Sequence, residues 1–325
     1  MSVREHINEY FNGRSFMLLC ALALVAVTAL SLVMGIEPAA VEGKGIFFSL
    51  QGTLIDAGPL SAGLNVLCLL ATGAIMLALN KVFTFVRSMS HLFASAFFLL
   101  QLAYPPALVS FNAGTLLSLA AAVTLMPLFA SFQDNHSQRS IFLIFALVVT
   151  GAMFHYGFLV LIPAYLLGFA NMRAMGIKGL FAMLFGIVTP FWIVLGLGLA
   201  SPLDATLPQW SLTEPPQMNV LVAQAVATAV LGLSLSAMNL LTIMNYRMQT
   251  RVYNIFLVIV LVLAVVAPCL DYRDLPVFLP LLNLMAAVQV AQGYTLRTAF
   301  HHRYVLILLF AFACLAFAAA NLLLP

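Results

Sequence analysis

A short interval between two long apolar runs, with the sequence DYRD, places one arginine between two carboxylates. Arg273 carries a planar guanidinium, which can bind the oxygens of a phosphate through two parallel hydrogen bonds. It is therefore a candidate contact for the phosphate of a membrane lipid, and Asp271 and Asp274 are candidate substrate-binding residues beside it. The alternative is a local ion pair between Arg273 and these carboxylates.

Two further carboxylates frame the first polar interval, residues 36–61, where Glu37 follows one apolar run and Asp56 precedes the next. A carboxylate at a membrane surface can accept the proton of an attacking hydroxyl as a general base. We therefore name Asp56 and Glu37 as catalytic candidates. The alternative is a solvated loop in which the acidic residues have no role beyond hydration.

A histidine and a tyrosine lie within the apolar segment GAMFHYGFLVLIP. A buried imidazole needs a hydrogen-bonding partner or a wet cavity. His155 is therefore a catalytic candidate for proton transfer, or a binding residue, near an outward cavity, and Tyr156 is a candidate substrate-binding residue beside it. The alternative is a histidine that only finds a partner within the protein. Trp210 lies in the proline-rich stretch SPLDATLPQWSLTEPPQM. It is either an anchor at the membrane interface or a platform on which a sugar ring stacks.

Helices in a bilayer must position these residues, because the composition excludes a water-soluble fold. Of the 325 residues, 64% are hydrophobic and only 7% are charged, whereas roughly 25% are charged in soluble domains. No polar interval is long enough for a separate soluble domain of at least ~50 residues. We predict an all-α, polytopic transmembrane bundle in which residues 1–325 form a single integral membrane domain.

Apolar runs of about twenty residues, the length that crosses a bilayer, define the predicted spans. They lie near residues 16–35, 62–80, 91–106, 114–131, 180–200, 219–244, 252–270, 276–295 and 304–323, with a further apolar stretch at 141–170. This last stretch is ambiguous. It forms either one long tilted helix or a hairpin of two short helices that meet around residues 155–157.

The positive-inside rule separates these two alternatives, because an added span reverses the side of every later loop. With a hairpin there are about eleven spans, and a cytoplasmic N-terminus then places all thirteen Lys and Arg residues inside except Lys44 and Arg273. With one span, most of the cationic residues from Arg173 to Arg303 would face outward. The hairpin is therefore predicted, with the C-terminus outside.

The same topology places the polar intervals. Each hairpin arm reaches only ~21 Å, less than the ~30 Å hydrocarbon core, so the hairpin tip is expected below the outer surface. Residues 1–14 are predicted to be an amphipathic leader on the inner surface, and residues 36–61 and 201–218 are predicted outer loops. Most of the ten carboxylates then face outward.

The apolar runs contain no Lys, Arg, Asp or Glu at mid-span, which argues against a proton pump or an ion-coupled carrier. Their polar residues are amides, which we interpret as hydrogen-bonding groups between helices, with a polar substrate groove as the alternative. These amides are Asn65, Gln101, Gln224, Asn239, Asn283, Gln289 and Gln292. The sequence has no nucleotide-binding or metal-hydrolase motif, so no cofactor, no metal and no nucleic-acid partner are expected.

Two segments resemble the middle helices of GT-C-type membrane glycosyltransferases and of envelope-polysaccharide polymerases. Their sequences are AYPPALVSFNAGTLLSLAAAVTLMPLF and GAMFHYGFLVLIPAYLLGF. The longer run from Asn80 to Phe191 resembles a family of multi-spanning inner-membrane proteins from Bacteroidetes-type bacteria, which has no assigned activity. The resemblance implies a lipid-linked sugar donor reached from the outer face. It also implies that Asp56 or Glu37 is the base and that Arg273 contacts the phosphate.

The chain departs from the GT-C pattern because its first loop has no adjacent acidic pair, so metal-assisted catalysis is not expected.

The leading hypothesis is a protein of cell-envelope glycan or glycolipid assembly in the bacterial cytoplasmic membrane. Its expected partners are membrane lipid, a polyprenyl-phosphate-linked sugar and envelope-assembly proteins. The rival hypothesis is a non-catalytic permease or a scaffold subunit of an envelope complex. A permease is expected to show a pseudo-repeat between its halves, and none is visible in the sequence.

Overall fold

The computed structural model describes residues 10–39, 45–49, 58–86, 91–134, 136–206, 219–296 and 303–323. Within these ranges the protein consists of helices and connecting turns, without a strand. The α-helices are α1 (Arg14–Val33), α2 (Pro59–Phe83), α3 (Leu92–Leu102), α4 (Ala113–Ala130), α5 (Gln138–Phe154), α6 (Leu161–Asn171), α7 (Ile177–Gly196), α8 (Val220–Ile243), α9 (Met248–Leu270), α10 (Leu275–Leu296) and α11 (Arg303–Leu323). Three short 3₁₀ helices cover Pro105–Ala107, Tyr156–Val160 and Pro202–Asp204.

Eight of the described helices are long and apolar enough to cross a membrane: α1, α2, α4, α7, α8, α9, α10 and α11. Three are shorter: α3, α5 and the segment Tyr156–Asn171 that contains α6. Each predicted apolar run therefore corresponds to helix. The stretch 141–170 is divided at His155, as the hairpin interpretation requires.

Helices α5 and α6 are antiparallel, because the start of one lies beside the end of the other. The backbone N–H of Gln133, before α5, donates to the carbonyl of Met172, after α6, at 2.9 Å. At the turn, a Cβ on Gly151 would overlap the ring of Phe158, so glycine lets the returning chain pack closely. We call the end of the bundle that contains this turn the hairpin end.

Contacts between connecting segments show that the chain runs back and forth between two ends. At the hairpin end, the N–H of Ala39, after α1, donates to the carbonyl of Pro106 at 3.1 Å. At the other end, the N–H of His91, before α3, donates to the carbonyl of Asn12 at 3.2 Å. Asn321 donates to the carbonyl of Ala103 at 3.0 Å. The start of α1 and the end of α11 therefore lie at opposite ends of the bundle.

Cationic residues concentrate at the end opposite the hairpin, which we call the basic end. Among the described residues, those at or near helix termini on this end are Arg14, Lys81, Arg139, Arg173, Lys178, Arg247, Arg251 and Arg303. Within the same ranges, Arg273 is the cationic residue of the hairpin end. The asymmetry predicted from the order of charges along the chain is thus present in the arrangement of the helices.

Helix α10 is the centre of the bundle. All residues from Leu275 to Tyr294 are buried, against neighbours that include α3, α4, α8 and α9. The backbones of α4 and α10 approach closely, because a Cβ on Gly114 would lie 2.5 Å from the carbonyl oxygen of Val277. Helices α1, α7, α8 and α11 instead bury less than a third of the residues in their apolar windows, as expected of helices that face lipid.

Candidate functional site

The turn at His155 is built by its own side chain. Helix α5 ends at Phe154, and His155 has an extended backbone with φ −158° and ψ 128°. Its Nδ1 accepts a hydrogen bond from the backbone N–H of Gly157 at 3.0 Å. A Cβ at position 157 would lie only 3.0 Å from that nitrogen and 3.2 Å from Val277. A glycine at this position therefore keeps the imidazole against the start of α10.

The other ring nitrogen of His155 faces a carboxylate. Its Nε2 lies 3.7 Å from Oδ2 of Asp274, and the two side chains are 1% and 13% exposed. Because Nδ1 accepts a hydrogen bond, the proton of the neutral imidazole is on Nε2 and is available to Asp274. The separation exceeds hydrogen-bonding range, so Nε2 has no hydrogen-bonding partner among the described residues.

Asp274 occupies the position directly before α10. Its backbone carbonyl accepts the N–H of Val277 at 2.9 Å, which places the carboxylate at the helix N-terminus. The N-terminal end of a helix carries partial positive charge, which stabilises a negative side chain there. His155 and the helix end therefore lie on two sides of Asp274, and a small part of its side chain is exposed.

The DYRD turn connects α9 to α10 and brings two more of the predicted residues to the same place. Asp271 forms the C-terminal cap of α9, and its N–H donates to the carbonyl of Ala267 at 3.1 Å. Its carboxylate also acts electrostatically on His155. Arg273 is exposed beside them. An imidazole, two carboxylates and a guanidinium are thus gathered at the hairpin end.

Tyr156 has a partner within the protein. Its hydroxyl donates to the backbone carbonyl of Thr206 and lies 2.8 Å from the Thr206 hydroxyl oxygen. The predicted role in substrate binding is untested, but this contact ties the hairpin turn to the loop that follows α7. Thr206 was not among the predicted site residues, because nothing in its local sequence points to a partner fifty positions away.

Part of the first predicted outer loop lies across the hairpin turn. We call residues 45–49 the strap. The N–H of Ile46 donates to the carbonyl of Ala152 at 3.1 Å, and Thr206 donates through its own N–H to Ile46 at 3.0 Å. A Cβ on Gly45 would overlap the carbonyl oxygen of Met153, so this contact requires glycine. The strap therefore joins the first loop, the hairpin turn and the loop after α7.

The remaining predicted site residues lie apart from this cluster or outside the described ranges. Glu37 is exposed beyond the end of α1, and its carboxylate is not joined to His155 or Asp274. Asp56 and Trp210 lie outside the described residues. In the part of the chain that the structure describes, no group of three or more His, Cys, Asp or Glu side chains could hold a metal ion.

The mid-span amides form hydrogen bonds between helices. Asn65 donates to the carbonyl of Ala107 at 2.8 Å, and Asn239 donates to the backbone carbonyl of Gln289 at 2.9 Å. Gln224 and Asn283 both donate to the carbonyl of Leu100, each at 3.2 Å. They thereby supply hydrogen bonds that the last turn of α3 cannot make within its own helix.

The fold defines the class of protein. Eight helices of membrane-crossing length and composition, with connections that gather polar residues at the two ends of the bundle, make this an integral α-helical membrane protein. The chain matches no protein-family model, no curated protein and no solved structure.

Proposed function

We propose that this protein acts in cell-envelope glycan or glycolipid assembly, as a glycosyltransferase or polymerase that uses a polyprenyl-linked sugar donor. The observation that carries the proposal is the pairing of buried His155 with partly exposed Asp274, directly beside exposed Arg273. Proton acceptance and phosphate binding are the two capacities that such a transfer needs, and here they are adjacent.

The proposed orientation places the hairpin end at the outer face of a bacterial inner membrane. The segregation of cationic residues at the basic end supports a cytoplasmic location for that end, by the positive-inside rule. In this orientation the chain crosses about eleven times, with α3, α5 and α6 as short spans. A polyprenyl-linked donor then has its sugar at the level of Arg273.

In the proposed reaction, Asp274 accepts the proton of the acceptor hydroxyl as that oxygen bonds to the anomeric carbon of the donor sugar. The bond from this carbon to the lipid phosphate breaks, and the phosphate leaves with the electron pair. Arg273 binds the phosphate oxygens and stabilises the charge that develops on them. His155 is a positioning residue, because its Nδ1 is held by Gly157 and its Nε2 faces Asp274. Asp56 and Glu37 remain alternative bases.

Native mass spectrometry of protein extracted gently from its own membranes tests this proposal. We expect a bound polyprenyl-phosphate species that is lost in Arg273→Ala and retained in Arg251→Ala, the matched control at the basic end. If both variants and the parent protein carry only bulk phospholipid, the proposal is wrong.

A permease is the second candidate function, and one observation favours it. Gln224 Oε1, Asn239 Oδ1 and Asn283 Oδ1 are buried without hydrogen-bonding partners among the described residues, along the packed helices α8 and α10. Such groups are costly in a dry interior and are satisfied by a polar solute or water. Solute-dependent swelling of proteoliposomes, abolished in Asn239→Leu, would support a permease; swelling equal to that of protein-free vesicles would reject it.

A further inference from the structure

A small cavity lies at the basic end, far from the cluster around His155. Its lining comes from α8, α9, α10 and the segment after α2, and the space inside is about the size of one water molecule. The lining residues are Phe85, Ile243, Tyr246, Thr250, Asn254, Gln292, Thr295 and Leu296. Among them no side chain is charged, and five carry polar oxygen or nitrogen atoms.

The orientation of the amides at this cavity is fixed by their neighbours. The Nδ2 of Asn254 donates to the carbonyls of Phe85 at 3.1 Å and Thr250 at 2.9 Å. Its Oδ1 must therefore accept from Gln292, whose Nε2 donates to it. This leaves Oε1 of Gln292 without a hydrogen-bonding partner among the described residues, although the residue is only 2% exposed. A buried carbonyl oxygen in this state calls for a donor or a cation.

The helix ends around the cavity favour positive charge. Helices α8 and α10 end at Ile243 and Leu296, and α2 ends two residues before Phe85, so three C-terminal ends converge there. Each C-terminal end carries partial negative charge, against one opposing N-terminal end, that of α9. The side chain of Arg247 is exposed and that of Arg251 is half-exposed, so solvent screens both charges.

We infer that this cavity binds a small monovalent cation of sodium size, coordinated by Oε1 of Gln292 and by neighbouring hydroxyl oxygens. Thr295 is suited to this role, because its hydroxyl donates its proton to the backbone carbonyl of Gln292 at 3.1 Å. The lone pairs of the hydroxyl oxygen then remain available to a cation. Divalent cations normally require carboxylates, and the described lining supplies none. The site stands apart from the proposed function.

Thermal unfolding of the purified protein in detergent tests the inference. At equal ionic strength, we expect NaCl to raise the melting temperature in a saturable manner relative to choline chloride, because a ligand that binds only the folded state stabilises it. KCl is expected to have a smaller effect, since a larger ion fits the cavity less well.

Two variants locate the effect. Gln292→Met removes the unpartnered oxygen at similar volume, and Thr295→Val removes a hydroxyl while keeping the side-chain shape; both are expected to abolish the sodium-specific shift. Ser234→Ala is the control, because that exposed hydroxyl bonds only to its own helix. If Gln292→Met does not fold, the sodium-specific shift in melting temperature is tested with Thr295→Val alone. A cavity that holds only water gives identical curves in sodium and choline, and that result overturns the inference, as does a shift that persists in Thr295→Val.

Discussion

The two ends of the bundle bury different kinds of polar group. At the hairpin end, the ionisable His155 is buried against the carboxylate of Asp274. At the basic end, the side chains of Arg247 and Arg251 reach solvent, and the buried polar contact between Asn254 and Gln292 is neutral. Proton transfer needs a group that can change its charge, whereas neutral amides form hydrogen bonds or coordinate a cation without exchanging a proton. The two proposals follow this difference, with acid–base chemistry at the hairpin end and the binding of a small cation by neutral oxygens at the basic end.

The ends also differ in how their connecting segments are held. At the hairpin end, two loops far apart in sequence contact each other and the turn through backbone hydrogen bonds, as between Thr206 and Ile46. At the basic end, backbone bonds join the described connecting segments only in pairs, as from Gln133 to Met172. At the hairpin end, backbone hydrogen bonds join three segments: the strap, the hairpin turn and the loop after α7. Side chains on these segments have little freedom to move, so the hairpin end is the better candidate for a preorganised site.

The largest expected effect is on activity at the hairpin end. Asp274→Asn keeps the shape of the side chain but removes its ability to accept a proton, so we expect a loss of transfer activity of roughly 10²–10⁴-fold. The measurement is complementation of a deletion strain, with the amount of protein in the membrane followed in parallel. Asp204→Asn, an exposed carboxylate of the loop after α7, is the control. Full complementation by Asp274→Asn would remove Asp274 from the proposed site.

The second prediction concerns the strap. Gly45→Ala adds a methyl group that overlaps the carbonyl oxygen of Met153, so the strap must shift or detach. We expect a destabilisation of about 1–3 kcal/mol, the usual cost of overpacking, together with reduced activity. Gly63→Ala is the control, because a Cβ there meets no atom within 4 Å. The comparison is made by thermal unfolding in detergent, and equal melting temperatures for the two variants would contradict the prediction.

The strap also illustrates what the sequence could and could not predict. The helices follow from apolar runs, and the break at His155 follows from charges that would otherwise face the wrong side. The contact of the strap with the hairpin turn leaves no such pattern, because backbone groups are the same in every residue. The partnership of His155 with Asp274 was likewise not predicted, although both residues had been singled out as candidates. It depends on α10 lying at the centre of the bundle.

The third prediction addresses the basic end. Asn254→Leu removes the donor to Phe85 and the acceptor for Gln292, so buried polar groups on two neighbouring segments lose their partner. We expect a destabilisation of about 1–3 kcal/mol, without any direct effect on transfer chemistry at the hairpin end. The useful measurement is therefore activity per folded molecule. A fall in activity per folded molecule would show that the two ends are coupled. It would contradict the separation of roles between them.

The smallest expected effect is that of Tyr156→Phe, which removes only the hydroxyl bonded to Thr206. We expect a loss of about 0.5–1.5 kcal/mol of stability, the net contribution of one such hydrogen bond. Thr206→Val keeps the carbonyl that accepts from Tyr156, but it removes the hydroxyl that donates to the carbonyl of Gly45 at 3.0 Å, so a loss of similar size is expected. If Tyr156 also binds substrate, Tyr156→Phe will lower the apparent affinity for donor while Thr206→Val will not. If it only ties the turn to the loop, both variants will leave that affinity unchanged.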